Sequence, residues 1–351
     1  MNANLWRQDT EMRFPVTAAE QRHDVRSRLF LCIDHDGVAG YGESAPQPKE
    51  MNGDAGILDV VDEIRIFVLP PLHQIIVREG ELPSWTRVAR FAGSRPASNP
   101  AVALVEMALL DRELRLNSST PTSLWPPQYE TPLQATVSLL DDDEWSVGPD
   151  ISRVRVKTSS ATPSASARAR LTSLKVPVLL DFNCAADNDA QVLEQVRMVA
   201  DVVDVVGVEQ PYAVGNVVDM ARLAERLSVP LSVDEGVRSV RDLAQIVRYN
   251  AAQIICVKPA RVGGLANART IISEAREAGL RPYLGGFFES PFGRRVNALL
   301  ARHCVDEPSD LSPVAVTLKG YERECDEVTD GFGVAPSTTM LEAATAVRLD
   351  V

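Results

Sequence analysis

The strongest constraint on this chain is a repeat running from Arg153 to Lys258, in which apolar segments of strand length end in charge. They read RVRVKTSS (153–160), VPVLLDFNC (176–184), VVGVEQPY (205–212) and VPLSVDEGV (229–237), continued by QIICVKPARVGG (253–264). The charges at their ends are Lys157, Asp181, Glu209, Asp234 and Lys258, separated by 24, 28, 25 and 24 residues. A strand, a helix and two short loops take about 25 residues, so the spacing predicts successive βα units. Helix-like stretches fill the gaps, over 158–175 (rich in alanine and serine), 188–203, 215–227, 238–249 and 265–278.

The pattern extends in both directions. TPLQATVSLL (131–140) supplies a first strand, RPYLGGFFES (281–290) a seventh, and EPSDLSP (307–313) a short eighth. The expected fold is α/β, a modified (β/α)8 barrel of TIM-like, (β/α)7β form, with an α+β capping domain. Before the barrel, MRFPVTAAEQRHDVRSRLFLCI and VAGYGESAP flank Asp36-Gly37, a turn pair that joins antiparallel strands. Stretches 55–77, 83–93 and 98–116 look helical, and the last has Ala101, Leu104, Val105, Ala108 and Leu109 at helical spacing. Strands followed by helices, without alternation, indicate a separate α+β unit. Residues 117–130, rich in Pro, Ser and Thr, read as a linker. The boundaries expected are 1–125 for the capping domain, 126–313 for the barrel, and 314–351 for a segment returning to the cap, where VRLDV (347–351) supplies an edge strand.

Charge and composition exclude several roles. The 36 basic and 48 acidic side chains leave a net charge of −12, and no basic run offers nucleic acid or an anionic membrane a surface. No apolar run approaches the ~18 residues of a membrane span, and the first residues lack a secretory pattern. Five cysteines without CxxC spacing read as reduced thiols. A soluble cytoplasmic protein is expected, acting on a small molecule, with homo-oligomerisation left open.

In a (β/α)8 barrel, charge at the C-terminal ends of strands is where catalysis sits. Asp181, Glu209 and Asp234 come from neighbouring strands and are hard anionic oxygen donors, a set suited to Mg²⁺ or Mn²⁺. No histidine lies near these strand ends, so zinc is disfavoured. One such carboxylate is as readily a helix cap; three in register are not. Lys157 and Lys258 stand on opposite sides of the barrel with the carboxylates between them. Lysine in a barrel mouth is uncommon unless paired or working, and plain neutralisation of the acids is the alternative. Arg155 shares a face with Lys157 by strand alternation, and a cation beside it favours the neutral amine that a general base needs. Asn183 shares a face with Asp181 and is placed to orient water or ligand. Glu289 is a candidate for the mouth. Gly285 and Gly286 allow close approach to substrate, as turn glycines would too. Glu235 should point away from a metal, either toward Arg155 or to the surface.

These motifs together, RxK, DxN, VEQP, DEG and KPxRVGG on strands two to six, resemble the enolase superfamily and within it the muconate-lactonizing subgroup. GYGESAP (40–46) and ALVEMALLD (103–111) look like that family's capping domain, so the resemblance covers nearly the whole chain. KPARVGG (258–264) with GGFFESPFGRRVN (285–297) is most similar to the o-succinylbenzoate synthase and N-acylamino acid racemase branch. The resemblance implies Asp181, Glu209 and Asp234 as Mg²⁺ ligands, Lys157 and Lys258 as an acid/base pair, and Arg261 as a shaper of substrate choice. Two features depart from the family pattern. Arg155 stands where the family usually has lysine, and the segment around GYERECDEVTDGFG carries a diluted form of its motif. The implied activity is Mg²⁺-dependent abstraction of a proton α to a carboxylate through an enediolate, foremost as o-succinylbenzoate synthase-type dehydration. Racemisation of N-acylamino acids, cycloisomerisation, or an inactive metal-binding barrel are the alternatives. Substrate contacts are expected from the capping loops 14–24 and 47–56.

Overall fold

The structure, a computed structural model, describes residues 1–18, 21–91, 97–139, 147–158, 162–321, 344–347 and 349. The stretch 322–343, which includes most of the diluted family motif, lies outside them.

Two sheets organise the chain. Strands β1 (Asn2–Ala18), β2 (Gln21–His35) and β3 (Val38–Ser44) form an antiparallel sheet. The β2–β3 turn has positive φ at Asp36 and Gly37, 56° and 76°, which is what a two-residue primed hairpin turn requires. Helices α1 (Ile57–Glu63) and α2 (Leu69–Glu79) are joined by a π-helical stretch, Ile64–Val68, just ahead of Pro70-Pro71. The expected helix over 83–93 is shorter: Trp85–Val88, continued by a 3₁₀ turn over Ala89–Phe91. Helix α3 (Asn99–Leu116) is almost wholly buried and lies on β3. Glycine permits that approach. A Cβ on Gly40 or Gly42 would fall 2.2 Å from the carbonyl oxygen of Ala108 or Leu104, respectively.

Seven parallel strands form the second sheet in sequence order: β4 (Leu133–Ser138), β5 (Ile151–Lys157), β6 (Val178–Asp181), β7 (Val205–Glu209), β8 (Leu231–Val233), β9 (Ile254–Val257) and β10 (Arg281–Leu284). Their apolar runs are continuous because parallel strands are covered on both faces. Helices α4 (Ala165–Ser173), α5 (Asp189–Ala200), α6 (Val217–Ala224), α7 (Val240–Tyr249), α8 (Leu265–Glu277) and α9 (Pro291–Cys304) follow β5 to β10 in turn. Ser164, Asn188, Ser239 and Ser290 cap four of them by accepting a backbone N–H of the first turn.

The segment expected as an eighth strand closes the sheet with very little backbone. Ser309 N donates to Pro132 O (2.9 Å) and Gln134 N to Ser309 O (2.8 Å), while Asp310 N donates to Leu284 O (2.9 Å). The first and seventh strands are thereby joined through Ser309 and Asp310, completing a modified (β/α)8 barrel beside an α+β cap. Strand β11 (Thr345–Val347) pairs antiparallel with β1. Among the described residues no helix is long and apolar enough to cross a membrane, and the cysteines Cys32, Cys184, Cys256 and Cys304 are free thiols.

Candidate active site

Barrel register brings the strand-end charges together. Lys157 pairs with Asp181 across β5–β6, and Asp181 with Glu209 across β6–β7, so three charges stand side by side at one height. Asp234 lies one residue beyond β8 and Lys258 one beyond β9. Asp181, Glu209 and Asp234 are fully buried, and both lysines are nearly so. Isolated charges in that setting are costly, and each is paired here.

Lys157 Nζ donates to Asp181 Oδ2 (2.9 Å) and Asn183 Oδ1 (2.6 Å). Asn183, with φ of 44°, returns its backbone N–H to Asp181 Oδ1 at 3.0 Å and its amide to Glu235 Oε1 at 3.1 Å. Glu235 is therefore neither at the surface nor on Arg155; it lies in the turn that leaves β8, buried, and accepts from Asn183 of the turn that leaves β6. Lys258 Nζ donates to Asp234 Oδ2 at 2.7 Å and lies 4.8 Å from the centre of the Phe287 ring. Burial and Arg261 push the Lys258 ammonium down, yet Asp234 outweighs them and the group stays above its ordinary value. Burial would likewise raise Asp234, but Arg261, Lys258 and Arg155 hold it far below the usual carboxylate range.

Arg155 sits one strand alternation below Lys157, on the barrel floor. Its Nη1 is 3.2 Å from Glu209 and 4.0 Å from Asp234, its Nε is 3.8 Å from Asp181, and its Nη2 is 2.5 Å from Asp310. Glu209 also accepts from Ser232 Oγ (2.9 Å) and Tyr283 Oη (2.5 Å). Burial, then repulsion from Asp181, pushes its carboxyl up.

Arg261 bridges the two sheets. It donates to Asp234 and, through Nε and Nη2 at 2.9 and 2.7 Å, to Asp54 of the cap loop 47–56. The same loop sends Asn52 Nδ2 to Asn183 O at 3.2 Å. The other stretch expected as a cap loop, 14–24, is instead the end of β1 and the start of β2, apart from residues 19 and 20, which lie outside the described residues. His23 on β2 is buried, and its imidazole is lowered to about 4 by burial first and then by Arg26 and Lys157. Gly285 lets β10 pass close to the lysine, since a Cβ there would stand 2.5 Å from Cys256 Sγ and 2.8 Å from Lys258 Cε. A Cβ on Gly286 would meet Glu289 Oε2 at 2.7 Å. Glu289 turns onto its own loop, accepting from Phe287 N at 2.8 Å and Asn297 Nδ2 at 3.2 Å.

Sequence reasoning did not single out Asp54, Asp310, Ser232, Tyr283 or His23. A signal existed for three of them. Tyr283 shares Gly285's strand face by alternation, and Asp54 and His23 fall in stretches already expected at the mouth. Gln210 belongs to the VEQP motif, which by itself assigns it no role. Its Oε1 accepts from Asp234 N and Gly236 N, both at 3.0 Å, which ties the ends of β7 and β8 together.

The donor set suits a hard divalent cation. Three buried carboxylates, hard anionic oxygen donors, all lie within reach of the one Arg155 guanidinium, so they face a common space. Among the described residues no three acidic, histidine or cysteine side chains converge as a ready-made metal cage, and each carboxylate bonds a cationic side chain instead.

Comparison with known proteins agrees with this geometry. Residues 151–321 match the family described as Enolase C-terminal domain-like. The chain is 29% identical over 299 residues to an o-succinylbenzoate synthase of Geobacillus kaustophilus, covering 82% of this chain and 77% of that one. It is also 29% identical over 290 residues to an N-succinylamino acid racemase of Amycolatopsis sp, covering 75% of each. The fold superposes on a muconate lactonizing enzyme of Pseudomonas fluorescens with a TM-score of 0.79 at 18% identity, over 97% of both chains. The family match falls on the strands that carry Lys157 through Lys258, and the relatives align over most of both chains: this chain resembles the enolase superfamily, and the protein is an enzyme.

Proposed function

We propose that this enzyme removes a proton α to the carboxylate of a small substrate, with Lys157 and Lys258 as the groups that handle the proton. The observation that carries the reading is the placement of two buried amines on opposite flanks of three buried carboxylates. Enolase-superfamily enzymes generally use a divalent metal, typically Mg²⁺. Here Asp181, Glu209 and Asp234 would hold it, and it would offset the charge that builds on a substrate carboxylate as the α-proton leaves.

The side chains divide the remaining work. Lys157 and Lys258 each face one side of a substrate lying between them, within reach of its α-carbon from opposite directions. Asn183 orients Lys157, Gln210 fixes the turn bearing Asp234, and Arg155 with Tyr283 and Ser232 holds Glu209. Arg261, bonded to the cap through Asp54, shapes substrate choice. Closure by the cap strengthens every one of these interactions by keeping water out.

The reaction favoured is dehydration yielding o-succinylbenzoate, supported by the 29% identity to an o-succinylbenzoate synthase. Racemisation of N-succinylamino acids is the second reading, supported by the equal identity to a racemase and by the two-sided placement of the amines. The test is turnover of the hydrated precursor of o-succinylbenzoate and of N-succinyl-phenylalanine, each with Mg²⁺ and after chelation. Full activity after exhaustive chelation, or wild-type metal affinity in Asp234→Asn, would sink the assignment.

A further inference from the structure

The loop between β10 and α9 carries Phe287, whose ring covers Lys258 at 4.8 Å and Arg261 at 5.1 Å. The next residue, Phe288, has φ of 62°. That is the left-handed region, where a bulky aromatic residue is an outlier, held only where its surroundings over-determine it. The holding groups come from the cap, some 260 residues earlier in the chain.

Buried Arg26 donates from Nη2 to Phe287 O at 3.2 Å, and its guanidinium lies 5.9 Å from the centre of the Phe288 ring. Fully buried Arg28 donates from Nη1 to Phe288 O at 3.3 Å. Immediately beyond, buried Glu43 accepts Ser290 N (2.7 Å), Ser290 Oγ (2.5 Å) and Gly293 N (2.8 Å) at the start of α9. Polarity is sorted along this loop. Guanidiniums meet the carbonyls just past β10, and a carboxylate meets the N–H groups that open the helix, where negative charge is favoured. All three charges stand on the paired strands β2 and β3, where Phe30 faces Glu43 and Leu29 faces Ser44. A rigid edge of the cap therefore grips both halves of one barrel loop.

We infer that Arg26, Arg28 and Glu43 are positioning residues for Lys258: from the cap they hold the Phe287–Phe288 turn so that the Phe287 ring roofs this one amine. The inference rests on the acid/base reading of Lys258. It predicts that loosening the grip disturbs Lys258 and leaves Lys157 alone, since Lys157 is held by Asp181 and Asn183 of the barrel itself.

Two readouts test it, one of which needs no substrate. The chain has five lysines, Lys49, Lys157, Lys175, Lys258 and Lys319, so pulse acetylation with acetic anhydride and peptide mass spectrometry follows each separately. Arg26→Gln and Arg28→Gln should raise the acetylation rate of Lys258 relative to Lys157 by about tenfold. In D₂O with Mg²⁺ and N-succinyl-phenylalanine, exchange on the face served by Lys258→Ala-sensitive chemistry should fall about 10²-fold, as misplacement by an ångström does. The other face should not change, and Arg28→Lys should recover part of the loss. A parallel rise at all five lysines, or an unchanged Lys258 in a folded variant, overturns the inference. If the arginine variants do not fold, Phe287→Leu decides: a rise at Lys258 alone supports the roof, and no rise overturns it. A selective rise at Lys258 in a protein that exchanges neither face of the probe keeps the clamp and removes the acid/base reading.

Discussion

The two flanks of the barrel mouth are built differently. Around Lys157 the supports are local: Asp181 and Asn183 come from the next strand and its turn, and Glu235 completes the row. Around Lys258 they are long-range. Asp234 is held by Arg261, Arg261 by Asp54 of the cap, and Phe287 lies over the amine under the grip of cap arginines. One flank is held chiefly by barrel side chains, with Asn52 of the cap donating to Asn183 O, and should be the less sensitive to changes in the cap. The other exists only when cap and barrel are docked, so under the proposed acid/base reading it would couple chemistry at Lys258 to the cap.

The largest expected effect is on the lysines themselves. Lys157→Ala and Lys258→Ala should each lose about 10³-fold or more in α-proton exchange, each on one face of N-succinyl-phenylalanine. Loss on the same face in both variants would break the two-sided reading. Next comes Asp54→Ala, which removes one carboxylate from buried Arg261 and should cost about 3 kcal/mol in urea unfolding. Exchange on the Lys258 face should fall more than on the Lys157 face; an equal fall would mean the flanks are not separate. Asn183→Ala is expected to be milder, slowing the Lys157 face about tenfold, because Asp181 still holds the amine. Its sign is opposite to that of Asp54→Ala, so the pair of ratios sharpens the comparison.

The smallest effect concerns His23, the cap residue on the Lys157 side. Its folded value of about 4 lies below the ordinary 6.5, so the unfolded chain takes up a proton first as pH falls. The stability it contributes is full above 6.5 and is lost as pH drops toward 4. His23→Gln should flatten that part of a melting-temperature profile; an unchanged slope would show that other groups dominate it.

Much of the barrel was legible because its signal is local and repeats. Five strand-end charges at nearly even spacing, each after an apolar run, locate Lys157, Asp181, Glu209, Asp234 and Lys258 in a way that tolerates errors in helix boundaries. Asn183 does stand beside Asp181, but by the turn that follows β6, where its φ is positive, and not by strand alternation. Arg155 was placed on the correct face, but its pairing with Asp310 was not, since the partner lies 155 residues away on a segment of minimal strand character. Glu235 was misread for a related reason: it follows Asp234 at the end of β8, in a turn where two-residue alternation no longer applies.

The sequence alone determined the order of strands, the type of charge at each strand end, and the hairpin at Asp36-Gly37, because these depend on neighbours a few residues apart. Only the tertiary structure decided how the charges pair. A buried arginine takes whichever carbonyl or carboxylate the packed fold brings within about 3 Å, and no local pattern encodes that choice. Hence Arg261 to Asp54, Arg155 to Asp310, and Arg26 and Arg28 to the Phe287–Phe288 turn became visible only once cap and barrel were set against each other.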